Sequence, residues 1–85
     1  MSKLDRFEDA LKCYNKTIEL NPNNSSDYNN KGFALNELNM FEEALQCFDK
    51  SIELNPNNSL VYTNKSLLLV DLNKYEEAIL NPIMH

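Results

Sequence analysis

Residues 7–40 recur as residues 41–74, and 20 of the 34 aligned positions are identical. Phe7-Glu8-Asp9-Ala10-Leu11 returns as Phe41-Glu42-Glu43-Ala44-Leu45. Ile18-Glu19-Leu20-Asn21-Pro22-Asn23-Asn24-Ser25 returns unchanged as Ile52 to Ser59. A third copy opens at Tyr75-Glu76-Glu77-Ala78-Ile79 and stops short. A period of this length marks stacked units, each too small to bury its apolar face alone. It implies a binding surface without naming what is bound.

Apolar spacing within one period sets out two helices. Phe41, Ala44, Leu45, Phe48 and Ile52 are separated by threes and fours, which draws one stripe along a helix. Glu42 and Glu43 suit its positive N-terminal end. Asn55-Pro56 ends it, because the residue before proline is pushed out of helical geometry. Asn24 or Ser25 is placed to cap the preceding helix. Asn39 stands where the chain must reverse, and asparagine tolerates the left-handed conformation that closes a helix. Asn73 repeats that device, and Asp5 approximates it. The expected pieces are helices over 5–20, 26–38, 41–54 and 60–72 and a stub over 75–80. All connections are short, so neighbouring helices are expected to lie antiparallel. The chain reads as one all-α domain over 1–85: a half repeat 1–24, a full repeat 25–58 and a truncated repeat 59–85.

Here the residues resemble the tetratricopeptide repeat family. Tyr28 stands where the family has an aromatic, Gly32 matches its glycine, Leu35 its Tyr, Ala44 its alanine, Phe48 its second aromatic and Pro56 its closing proline. Ser51 takes the place of a second Ala. Tyr62, Ser66, Leu69 and Ala78 follow in the next copy, and Ala10, Tyr14, Thr17 and Pro22 in the opening one. The resemblance implies a fragment of a right-handed α-solenoid of antiparallel helix-turn-helix units. Under the pattern lies a packing rule: Gly32, Ser66, Ala10, Ala44 and Ala78 are small where helices cross, and Tyr14, Tyr28, Phe48 and Tyr62 fill the space left.

The resemblance further implies a non-catalytic protein-interaction module. In the family, the first helix of each repeat lines a concave groove for a peptide or partner helix. Carried over, the groove residues are Ser26, Asn29, Asn30, Phe33, Asn36 and Glu37, then Leu60, Thr63, Asn64, Leu67, Val70 and Asp71. Asparagine can bond a peptide backbone as donor and acceptor, while Phe33, Leu60 and Leu67 offer apolar pockets. One family subset clamps peptide carboxylates with Lys, Arg and Asn. Asn30 and Asn64 match its asparagines, but its basic members are missing, which disfavours that role. Lys31 and Lys65 replace the family's usual Leu and are expected to lay their stems along apolar surface.

The alternative reading is self-association. The chain starts at a second helix, and Leu80-Asn81-Pro82 resembles the repeat terminus Leu54-Asn55-Pro56 eight residues early. An internal deletion, a natural truncation and a deliberate cut all account for this join. Neither end resembles a polar capping helix, which repeat arrays need. Leu67, Leu68, Leu69, Val70 and Leu72 make the fourth helix apolar on several sides. Exposed faces of this kind find partners, often another copy, with or without exchange of an end helix. Leu68, Leu72 and Tyr75 are the residues expected to carry that contact.

Composition narrows the field. The net charge is −5, with eight basic residues scattered among thirteen acidic ones, so attraction to nucleic acid or anionic lipid is not expected. No apolar run approaches the roughly 20 residues that span a bilayer, and residues 1–6 lack an apolar signal core. A soluble, cytoplasmic protein is expected. Cys13 and Cys47 occupy equivalent places one repeat apart, and helices about 8–10 Å apart exceed the span of a disulfide. They read as small semi-apolar fillers. With one histidine and one glycine, neither a Cys/His metal site nor a glycine-rich phosphate loop is expected, and no nucleophile has a base beside it. The paired glutamates repeat with the period and belong to helix N-termini. No enzyme activity and no cofactor are expected.

Overall fold

A computed structural model describes residues 2–80 as four α-helices: α1 (Lys3–Leu20), α2 (Ser25–Glu37), α3 (Phe41–Leu54) and α4 (Ser59–Leu80). No strand occurs among the described residues. The fold is an all-α helical repeat. The helix starts follow from local side chains. Ser2 Oγ accepts from Asp5 N–H at 3.2 Å, so α1 begins two residues before the expected start. Asn24 Oδ1 accepts from Ser26 N–H, and Asn58 Oδ1 accepts from Leu60 N–H one repeat later. Asn21 and Asn55 each accept from the N–H two residues on. These small turns explain the asparagine-rich joints: Asx side chains replace backbone partners where the helix has ended.

The α2–α3 turn closes as expected at Asn39, which has φ 61°. Met40 N–H donates to Leu35 O at 2.9 Å and Asn39 N–H to Asn36 O at 3.0 Å. This is the paired bonding of a Schellman ending. α2 and α3 then pack along their lengths. A Cβ on Gly32 would lie 2.6 Å from Phe48 Cε1, so only glycine admits the ring. Ser51 is fully buried, and its hydroxyl donates to Ser25 O at 2.8 Å. The core is one cluster of Leu35, Phe41, Ala44, Cys47, Phe48, Val61 and Leu68, contributed by α2, α3 and α4. α1 has no buried residue and packs on α2.

The third copy departs from expectation. α4 runs without a break from Ser59 to Leu80 through Asn73, so the turn expected there and the separate stub over 75–80 are absent. Asn73 instead donates from Nδ2 to Glu77 Oε1, one helical turn away, at 3.3 Å. One sequence difference favours this. The Schellman ending favours an apolar residue at its last position. Met40 holds that position in the closed turn, and Lys74 holds it in the third copy. The expected helix end at Pro82 lies outside the described residues.

Candidate functional site

Two hydrogen bonds join α2 to α4. Asn64 Nδ2 donates to Asn29 Oδ1 at 3.0 Å, and Asn36 Nδ2 donates to Asp71 Oδ2 at 3.3 Å. From the first pair to the second both helices advance by seven residues, two turns, so α2 and α4 run parallel along this seam. Toward one side of it, Gly32 and Leu35 on α2 and Val61 and Leu68 on α4 belong to the packed interior around α3. On the other side lie Ser26, Asn30, Phe33 and Glu37 from α2 and Leu60, Thr63, Leu67 and Val70 from α4, by helical periodicity.

This surface differs in chemistry from the one expected. Asn29 is buried, and its amide oxygen is taken by Asn64. Asn36 is spent on Asp71, and its Oδ1 is buried without a hydrogen-bond partner. These three asparagines hold the seam and are not free to receive a peptide backbone. Thr63 Oγ1 donates back to Ser59 O. Asn30 remains exposed. The exposed large groups are apolar: Phe33, Leu60, Leu67 and Val70. Phe33 is also met edge-on by Phe7 of α1, with ring centroids 6.0 Å apart. Glu37 pairs with Lys3 at 3.3 Å. α1 therefore borders this surface.

The self-association residues need correction. Leu68 is fully buried and Leu72 packs half-buried on the core, so neither is offered by the folded chain. Tyr75 is exposed on one side and lies 5.4 Å from the Phe41 ring on the other. On another stripe of α4, Tyr62, Leu69 and Ser66 are exposed. They correspond to Tyr28, Leu35 and Gly32, so the 34-residue offset contained the signal.

Lys65 Nζ reaches Asp49 Oδ1 at 2.6 Å, tying α4 to α3. Burial pushes the Cys47 thiol above its ordinary value of 9.0, opposed by Lys31 and aided by Glu43. Cys13 is exposed, and both cysteines are free. Among the described residues no three His, Cys, Asp or Glu are placed to hold a metal, and no helix is long and apolar enough to cross a membrane.

Three family models, each described as a tetratricopeptide repeat, match residues 2–24, 26–58 and 47–80. Neither the curated proteins nor the solved structures give a match.

Proposed function

As this chain belongs to the tetratricopeptide repeat family, whose repeats generally mediate protein–protein interaction, we propose that it is a non-catalytic binding module acting in the cytoplasm. Its ligand is an amphipathic helix or peptide with apolar anchors, seated on Phe33, Leu60, Leu67 and Val70. The observation that carries this is the exposure of those four groups beside a seam whose asparagines are already paired. A ligand that relied on backbone bonding to Asn29 or Asn64 would have to break Asn29–Asn64. An apolar helix face meets the groove without doing so. The chain's acidic balance favours ligands with basic flanks.

The test is selection from a displayed library of amphipathic helices, with affinities measured for the wild type and for Phe33→Ala and Leu67→Ala. Loss of a buried anchor costs more than about 1.4 kcal/mol, or tenfold in Kd. Binders whose affinity ignores both substitutions would place the ligand elsewhere.

A second reading, self-association into a homo-oligomer, is favoured by one specific observation. Leu69 is 46% exposed, whereas its equivalent Leu35 is 1% exposed. α4 keeps the residues of a hairpin face, and no helix covers it among the described residues.

A further inference from the structure

α1 carries the sequence of α3 from one repeat earlier, and α4 carries that of α2 from one repeat later. Among the described residues, neither has the neighbour that its equivalent has. On α3, Ala44, Phe48 and Ser51 are buried against α2. Their equivalents on α1 are Ala10, Tyr14 and Thr17, which are half-buried or exposed. On α2, Gly32 and Leu35 are buried under α3. Their equivalents on α4, Ser66 and Leu69, are exposed. Within one chain these faces belong to opposite ends of the stack.

We propose that α1 of a second copy packs antiparallel on the Tyr62–Ser66–Leu69 face of α4, in the geometry of α3 on α2, so that copies join head to tail. This rests on the self-association reading and specifies its mode. Tyr14 then lies over Ser66 as Phe48 lies over Gly32. Residues 75–80 of the same chain cannot fill the face while α4 is continuous. Ala78 stands nine residues beyond Leu69, about 14 Å along the axis and half a turn round.

Charge supports the same register. In the α2–α3 template, the start of the second helix lies beside the end of the first. Both partners here are longer than the template. α1 extends before Phe7 to Lys3, and α4 extends past Leu72 to Leu80. The added turns would lie side by side. One carries Lys3, Asp5 and Arg6, the other Lys74, Glu76 and Glu77, all exposed, and Lys3 also pairs with Glu37 of its own chain. A concavity of about 650 Å³ on α1, lined by Lys3, Arg6, Phe7 and Ala10, is where the end of α4 would enter. The α1 turn is net positive and the α4 turn net negative, whereas two paired α4 ends would both be net negative. A head-to-tail contact is heterologous, so it propagates instead of stopping at two.

The experiment uses the 85-residue chain and two end-blocked variants, Leu69→Lys and Tyr14→Lys. Solution mass is read by analytical ultracentrifugation, and helicity by circular dichroism. The expected result is that wild type forms species larger than a dimer, weakened by salt, and that each variant alone is monomeric. Mixed, the two variants give a 1:1 heterodimer and nothing larger, because one open α4 face and one open α1 face remain. That rescue also shows that both variants are folded. Wild type that stays monomeric overturns the self-association reading and this mode with it. Wild type that stops at a dimer, or variants that fail to combine while wild type associates, overturns the head-to-tail mode alone.

Discussion

At the scale of single residues, the hairpin depends on a pair of opposite sizes. Phe48 is 1% exposed and its ring occupies the place of a side chain on Gly32. Phe48→Ala should therefore cost about 3–5 kcal/mol in chemical denaturation, the penalty for emptying a buried aromatic site. Gly32→Ala should also destabilise, although alanine favours a helix by about 1 kcal/mol. The ring cannot yield without displacing the core, and overpacking costs about 1–3 kcal/mol. A stabilised Gly32→Ala would show that the ring moves freely. The Cys47 thiol gives a pH signature. Its folded pKa is raised, first by burial, so the fold favours the protonated form. The corresponding stability is present below the ordinary value of 9.0 and falls as pH rises through the folded pKa. Alkylation kinetics should find Cys13, which is exposed, reacting well before Cys47.

At the scale of elements, the period and the stripe of Phe41, Ala44, Leu45, Phe48 and Ile52 made α3 legible to the residue. The asparagines announced both helix starts after the Asn-Pro joints. α4 was misread because Asn73 matches Asn39. Asparagine permits a left-handed turn but does not impose one, since nothing prevents it from staying helical. The closed turn is also favoured by an apolar residue after the asparagine, and Lys74 stands in that place. The polarity of the surface at the expected groove positions was not legible. That Asn29 and Asn36 bond across to α4 depends on how two helices meet, which a single period does not reveal. The continuity of α4 can be checked with spin labels at Leu67→Cys and Leu80→Cys in a Cys13→Ser, Cys47→Ala background diluted with unlabelled chain. Thirteen residues of helix separate the Cα atoms by about 20 Å. A hairpin folded at Asn73 would bring them to about 8–10 Å, the spacing of packed helices.

At the scale of the whole molecule, the chain is a stack that presents two kinds of surface. One is the apolar groove along the α2–α4 seam. The other is a pair of helix faces, on α1 and α4, that would match each other across copies in the proposed head-to-tail mode. The groove lies on the side of α4 away from α3, whereas Tyr62, Ser66 and Leu69 lie on a separate stripe. Stacking in the proposed mode would therefore extend the apolar surface without covering it. Association of this kind also stabilises the fold by mass action, so the thermal midpoint should rise with concentration. The most direct measurement is static light scattering over a hundredfold range of concentration. The account predicts a mean mass that climbs from the 9.9 kDa of one chain past that of two, without a plateau. A mean mass that holds at 9.9 kDa throughout would contradict it.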